Sequence, residues 1–251
     1  MRVTLLAHTT LNPEVVISSA GEDGLTQGIV LDTDAYLNDK SPRYDMEIDR
    51  DAEDSDVLAE FAGRACYQSF HKPNPQTRAN RDYLANILRR GHESVLEHAS
   101  ATFYVEGVSR ALTHELIRHR HLSYSELSQR YVDLDDANAV IPPALRGEDD
   151  TELLGVMGAC ASSYNALVDY LMNVKGLRRK QAREAARAVM PNMTETRIVV
   201  SGNLRAWRDM LHKRHSVHAD AEIREFAGLV LSELRKIAPN SFQDFPADPL
   251  Y

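Results

Sequence analysis

The sequence has little cysteine and no long apolar run. Only two of its 251 residues are cysteine, which excludes a disulfide scaffold, and neither has a CxxC or Cys/His metal-binding spacing. No stretch of about 18 apolar residues occurs, so no transmembrane helix or membrane partner is expected. The N-terminus also turns polar too soon for the core of a signal peptide. These absences predict a cytoplasmic protein with reduced thiols.

The glycine-rich loops that cradle phosphates are also missing. Neither GxGxxG nor GxxxxGK[ST] occurs, so a bound nucleotide would have to be held by side chains. Ten histidines are present, but none forms an HExxH pair with an obvious carboxylate partner. A metal-dependent nucleotide hydrolase is therefore a weak alternative, and no metal ligands are assigned.

The remaining composition is that of a globular protein, with 43% hydrophobic and 26% charged residues. The formal net charge of -8 is unevenly distributed, because the first 56 residues carry 4 basic and 13 acidic side chains. Such a segment with weak periodicity is typical of a solvated loop. We therefore predict a single domain over residues 1–251, with residues 9–56 forming an acidic, variable N-terminal loop or insert.

Hydrophobic periodicity predicts a mostly helical α+β fold around a small antiparallel or mixed sheet. Helical spacing and breaker residues delimit the helices, whereas short runs rich in β-formers indicate the strands. Helices are predicted from residue 55 and at 80–90, 108–118, 151–174, 177–190, 203–214 and 219–237; strands are predicted at 1–8, 101–105 and 196–201. The polar segment 120–130 shows no regular pattern.

Arginine is concentrated in three clusters, at residues 114–130, 178–187 and 203–218. The guanidinium fork suits bidentate recognition of phosphate or carboxylate, so we expect an anionic ligand. A polar surface loop and an Asn203 helix cap would explain parts of these clusters equally simply. A nucleic-acid-binding module is a second alternative, but residues 57–251 carry 25 basic and 24 acidic side chains, which is a poor footprint for nucleic acid.

The run Arg118-His119-Arg120, followed by Ser123, Ser125, Ser128 and Arg130, resembles the RHRxxSxNxxSxR signature of the flavin-dependent thymidylate synthases, the ThyX family. Ser125 stands where that pattern has Asn. Further similar segments are FAGRACYQS (61–69), GHESVLEHA (91–99), ARAVMP (186–191), TRIVVSGNLRAW (196–207) and RHSVHADAEIR (214–224). The resemblance covers about residues 57–237 and leaves residues 9–56 outside.

The resemblance implies a ThyX-like fold and a homotetramer whose flavin sites are shared between subunits. It implies that dUMP is converted to dTMP, with 5,10-methylenetetrahydrofolate as carbon donor, FAD as hydride carrier and NADPH as reductant. No cysteine nucleophile is needed, in agreement with the positions of Cys66 and Cys160 outside the arginine clusters. The cofactor would bring the redox chemistry, and the chain would bind and orient.

The resemblance also implies roles for individual residues. The implied flavin contacts are His92, Ser94, Arg118, His119, Arg120, Glu126, Asn203, Arg205, Asp209 and His218. The implied dUMP contacts are Glu115, Arg118, Glu126, Ser128, Gln129, Arg130, Arg187 and Arg214. Arg214 would be catalytic, because a guanidinium against the pyrimidine stabilises its anion.

Two of these positions carry a residue that differs from the family pattern, and a third, Ser128, could also be interpreted as a nucleophile. Glu115 replaces a Gln found in some members, which changes a neutral hydrogen bond to a charged one. Asp209 stands where the flavin contact is Asn or His. Ser128 is interpreted as a substrate contact, since no general base accompanies it in the sequence as a nucleophile would require.

Overall fold

The computed structural model describes residues 1–12, 16–17, 28–29, 46–47, 52–67, 69–70 and 74–251. The described strands are β1 Arg2–His8, β2 Val16–Ile17, β3 Gly28–Ile29, β4 Met46–Glu47, β5 Ser100–Ser109, β6 Ser123–Glu126 and β7 Glu195–Asn203. The described helices are α1 Asp54–Tyr67, α2 Asn80–Arg89, α3 Arg110–Leu116, α4 Thr151–Asn173, α5 Arg179–Ala186, α6 Leu204–Arg214 and α7 Ala221–Ile237. The predicted α+β class is confirmed.

The main sheet has four antiparallel strands in the order β1-β5-β7-β6. Its two long central strands run from Ser100 opposite Asn203 to Ser109 opposite Glu195. The strand predicted at 101–105 is longer than expected, because β5 runs from Ser100 to Ser109. The register shifts between Glu106 and Val108, where Gly107 has a φ of +68°, so the glycine forms a bulge and the strand continues. Helix α3 consequently begins at Arg110, two residues later than predicted.

Strand β6 lies in the polar segment for which the sequence indicated no regular structure. It pairs with β7 from Ser123 opposite Ser201 to Glu126 opposite Ile198. Ser123 and Ser125 are exposed while Tyr124 and Glu126 are half-buried, so the side chains alternate as in any strand. A four-residue edge strand with one aromatic residue carries too little apolar alternation to be recognised.

The core forms where α1, α2, α3, α6 and α7 pack with the main sheet. Trp207 of α6 is fully buried, its indole nitrogen donates to the Ala101 carbonyl at 3.1 Å, and its ring meets Phe103 edge-on at 5.1 Å. Buried aromatic pairs of this kind contribute both apolar area and a preferred geometry. The contact fixes α6 on β5, and α6 carries most of the third arginine cluster.

Helix α4 packs mainly against α5, and only Met157 and Tyr164 of its 23 residues are buried. The predicted helix 177–190 is shorter than expected, because the α-helix covers Arg179–Ala186 and a 3-10 turn follows at Arg187–Val189. Pro191 disfavours α geometry at the residue before it, which accounts for the early end.

The front of the chain is only partly described. Strands β2, β3 and β4 form a small antiparallel sheet, and α1 begins within the predicted acidic insert. Most of that insert lies outside the described residues. Within the described ranges, no helix has the length and apolarity needed to cross a bilayer.

Candidate active site

The Arg118-His119-Arg120 motif forms the turn between α3 and β6. Ser109 caps α3 by accepting from the Leu112 amide at 3.1 Å, and its hydroxyl donates to Glu222 of α7 at 2.6 Å. At the other end of α3 the Tyr124 hydroxyl donates to the carbonyls of Leu116 and His119, at 2.7 and 2.8 Å. These bonds fix the turn, which leaves the other motif side chains exposed at its tip: Arg118, Arg120 and the following His121.

The buried member of the motif, His119, lies directly against Arg214, the last residue of α6. The Arg214 Nε donates to His119 Nε2 at 3.0 Å, and its Nη1 donates to Glu115 Oε2 at 2.5 Å. Its Nη2 also approaches the Glu115 carbonyl, at 3.4 Å. Three of the five guanidinium N–H donors are therefore used within the chain, and two remain for a ligand.

Charges around this cluster favour a neutral histidine beside an ionised carboxylate. Burial and the Arg214 charge lower the pKa of His119. Burial pushes the pKa of Asp209 upward, but the ammonium of Lys213, at 2.7 Å, together with His119 outweighs it and lowers that pKa. His119 Nδ1 lies 3.7 Å from Asp209 Oδ2. Arg214 is thus held by Glu115 and His119, with Asp209 and Lys213 beyond the histidine ring.

A pocket opens beside this cluster at the start of α6. It is lined by Glu97, His121, Asn203, Arg205, Ala206 and Asp209. Asn203 caps the helix as predicted, since its side chain accepts from the Ala206 amide at 2.8 Å. The first turn of a helix offers amide donors and partial positive charge, and Arg205 adds a guanidinium. The pocket therefore presents hydrogen-bond donors and one guanidinium beside two carboxylates, Glu97 and Asp209, of which Glu97 pairs with Arg205.

The GHES segment joins this pocket through ion pairs to α6. His92 and Ser94 are exposed at the start of the 3-10 turn Glu93–Glu97. Glu97 binds Arg205 at 2.5 Å, and Glu93 approaches Arg208 at 3.4 Å. The structure thus places His92 and Ser94 in a turn attached to the pocket wall.

Arg208 is the anchor behind this wall. It is 1% exposed and donates two bonds of 2.7 Å to the Asp244 carboxylate and a third, also of 2.7 Å, to the Ser241 carbonyl. The C-terminal segment is held further along as well, because the Leu250 amide donates to the His215 carbonyl at 2.8 Å and its carbonyl accepts from Val217. His218, in the turn after α6, is exposed.

The remaining implied dUMP contacts lie on another part of the chain. Ser128, Gln129 and Arg130 follow β6, and Arg130 faces Glu184 of α5 at 3.9 Å. Arg187 is exposed at the end of α5. Among the described residues, no hydrogen bond or ion pair joins this group to Arg214 or to the pocket.

Glu126 has partners within the chain. Its Oε1 accepts from Arg110, from Thr113 at 3.0 Å and from Thr196 at 3.1 Å. These donors come from α3 and β7, so the carboxylate links the start of α3 to the sheet. In this chain Glu126 supports the walls of the site, whatever direct contact it makes with a ligand.

The sequence reasoning did not select Glu97, His121 or Lys213. Glu97 and His121 were within or next to quoted motifs, yet nothing local distinguished them from ordinary polar turn residues. Their relevance comes from partners far along the chain, as in the Glu97–Arg205 pair, which spans 108 positions. Lys213 was detectable in principle, since it stands four residues after Asp209 on a predicted helix.

The residues required by the alternative functions are not brought together. In the parts of the chain that the structure describes, no group of three or more His, Cys, Asp or Glu side chains could hold a metal ion. Cys66 and Cys160 lie on α1 and α4, which contribute nothing to the pocket. The hydrolase and nucleic-acid alternatives thus receive no support.

Comparison with known proteins shows the family to which the chain is similar. The family model described as "Thymidylate synthase complementing protein" matches residues 48–240. A flavin-dependent thymidylate synthase of Mycobacteroides abscessus is 54% identical over 211 residues, which cover 80% of this chain and 84% of that protein. A probable flavin-dependent thymidylate synthase of Mycobacterium phage L5 is 55% identical over 202 residues, covering 78% and 83% of the two chains.

Proposed function

The chain belongs to the flavin-dependent thymidylate synthase family, and we propose that the Arg214 cluster and the adjoining pocket form its active site. The enzyme converts dUMP to dTMP, with 5,10-methylenetetrahydrofolate as carbon donor, FAD as hydride carrier and NADPH as reductant. Bound FAD supplies the redox chemistry. The chain's own residues bind and orient the reactants, and no cysteine participates.

The pocket at the start of α6 takes part of the flavin nucleotide. Its amide donors, the Arg205 guanidinium and the Asn203 amide match a pyrophosphate and hydrogen-bonding ring edges. Asp209 borders the same pocket. Around it, the exposed side chains complete the flavin contacts that the resemblance implies: His92, Ser94, Arg118, Arg120 and His218.

Arg214 acts on the pyrimidine of dUMP. The observation that carries this role is its fixed orientation, with Glu115 and His119 holding two edges and two N–H donors left over. Donors aimed at a pyrimidine oxygen stabilise the ring anion and raise electron density at carbon-5, where the new bond forms. Ser128, Gln129, Arg130 and Arg187 bind the remainder of dUMP, with the arginines on its phosphate.

The active enzyme is a homotetramer with shared sites. In such an assembly, Arg214 of one subunit and the Arg130–Arg187 group of a neighbouring subunit would together bind dUMP. Residues 1–251 form a single catalytic domain, and residues 9–56 are an N-terminal insert; the family match beginning at residue 48 supports this division. The use of dUMP, NADPH and a folate is consistent with a cytoplasmic location.

Two measurements test the activity itself. The purified protein should show flavin absorbance, and it should release tritium from dUMP labelled at carbon-5 only when NADPH and the folate are both supplied. A colourless protein that FAD does not reconstitute would contradict the proposal.

The Arg214 role is tested by Arg214→Ala. We expect normal flavin content but a kcat about 10²–10³-fold lower, since donors to a developing anion are worth that much. Arg146→Ala is the matched control, because Arg146 pairs with Glu225 at the surface. Near-normal turnover of Arg214→Ala would remove the residue from the catalytic role.

A further inference from the structure

We propose that His119 is a positioning residue that fixes the Arg214 guanidinium through its Nε2 atom. The inference rests on the proposed function, in which Arg214 acts on the pyrimidine. In the Arg118-His119-Arg120 motif, the central residue would therefore position Arg214, whereas its two exposed neighbours contact the flavin.

The geometry separates His119 from the other two motif residues. Arg118 and Arg120 are exposed, whereas His119 is 6% exposed. Its Nε2 accepts the Arg214 Nε–H at 3.0 Å. Its Nδ1 faces Asp209 at 3.7 Å. The ring is thus bonded to α6 through Nε2, whereas Nδ1 points toward Asp209 at a distance too long for a direct hydrogen bond.

The hydrogen bond requires one tautomer of the ring. Nε2 must be unprotonated in order to accept from Arg214, so the proton is on Nδ1, on the side of the Asp209 carboxylate. The charged groups around the ring are Arg214, Lys213 and Asp209 of α6, with Glu115 of α3 on the far side of the guanidinium. Protonation of Nε2 would remove the acceptor and place a second cation against Arg214.

The two partners of Arg214 have complementary effects. Glu115 binds the Nη1 corner and leaves the side chain able to pivot about that contact. His119 holds the Nε edge, so both edges together fix the plane of the guanidinium. A displacement of about 1 Å at a catalytic group can cost about 10²-fold in rate. Because His119 belongs to the turn before β6, the same bond also holds the end of α6 against the motif.

Two substitutions at His119 separate positioning from flavin binding. His119→Leu removes the acceptor, and we expect a kcat about 100-fold lower with unchanged flavin content and a small change in the KM for dUMP. His119→Gln places an amide oxygen near the Nε2 position, and we expect it to restore kcat to within about 5-fold of the native enzyme. His8→Leu, at an exposed histidine of β1, is the matched control and should retain full activity.

The pH profile provides a readout that a merely structural residue would not change. The native enzyme should lose kcat as pH falls through the lowered pKa of His119, below 6.5, and His119→Gln should lack this acid limb. Flavin absorbance, the thermal unfolding midpoint and dUMP binding by calorimetry establish whether each variant is folded and loaded.

Three results would overturn the inference. One is loss of flavin from His119→Leu with normal turnover per bound flavin, which would make His119 a flavin contact. The others are equal losses of kcat in the Leu and Gln variants, and an acid limb that persists in the Gln variant. Failure of the native enzyme to release tritium from dUMP would instead contradict the proposed function, so the two failures are distinguishable.

Discussion

Helices α7 and α4 are similar in apolar content but opposite in burial. Eight of the 17 residues of α7 are buried, and they pack with the main sheet and α6. Of the 23 residues of α4, two are buried. An apolar stripe on α4, here called the α4 stripe, is 36 to 67% exposed and consists of Val156, Leu167, Tyr170 and the following Val174.

The difference shows which surfaces the chain covers by itself. The members of the α4 stripe are 11, 3 and 4 positions apart, so they share one face of the helix. A contiguous exposed apolar face of this kind marks an interaction surface. The α7 side therefore represents the self-sufficient body that carries Arg214, and the α4 side, with Arg187 nearby, is the part that a second subunit of the proposed tetramer would cover.

The largest effect should come from charging the α4 stripe. Val156→Glu combined with Leu167→Glu would bury two unpaired carboxylates in a subunit interface, which is strongly unfavourable. We expect the tetramer to dissociate at micromolar concentration, as measured by light scattering after gel filtration, and turnover to fall with it.

Ser232→Glu is the control for this double variant, because Ser232 is an exposed residue of α7. It should leave the assembly intact. An unchanged tetramer in the double variant would show that the α4 stripe is not a subunit contact and would remove the contrast between the two helices.

The second-largest effect is expected at Arg208, within the body that α7 and the main sheet form, and it concerns the free energy of unfolding. Arg208→Ala leaves the Asp244 carboxylate and the Ser241 carbonyl without their donor. Removal of one partner from a buried pair costs about 3–5 kcal/mol. Because the Asp244 side chain is 40% exposed, we expect a loss near the lower end, about 3 kcal/mol, in the free energy of unfolding measured with urea.

The surface pair Arg146–Glu225 supplies the comparison for Arg208. Both of its side chains are more than one-third accessible, so Arg146→Ala should cost less than about 1 kcal/mol. Equal costs for the two variants would mean that the buried guanidinium does not anchor the wall of the pocket.

The smallest effects should come from replacing one glycine by alanine in each of the two regions, the main sheet and helix α4. At Gly202 of β7 a Cβ would lie 2.2 Å from Leu122 Cδ2, and Leu122 is buried, so Gly202→Ala should cost about 1–3 kcal/mol by overpacking. At Gly158 of α4 nothing lies within 4 Å, so Gly158→Ala should add about 1 kcal/mol through helix propensity. Urea unfolding of both variants tests whether stability falls for Gly202→Ala and rises for Gly158→Ala. A loss of stability for Gly158→Ala would show that this face of α4 is covered.

Local patterns predicted the long elements well and the irregular ones poorly. Helix α4 and helix α7 follow the apolar spacing almost to the residue, because such spacing is a property of the chain itself. The bulge at Gly107 and the short polar strand β6 were missed. Both depend on pairing with β7, a partner 72 to 91 positions away that is not visible in a local window.

The sequence by itself determined the family, the α+β class and the arginine-rich character of the site, since a long motif and helical periodicity are written in the order of residues. Only the tertiary structure decided that His119 supports Arg214 while its motif neighbours stay exposed, that Glu126 is held by α3 and β7, and that Arg130 faces Glu184 of α5. The physical reason is that burial and hydrogen bonding are set by residues distant in sequence. Neighbouring side chains in one motif therefore acquire different tasks once the helices and strands have packed.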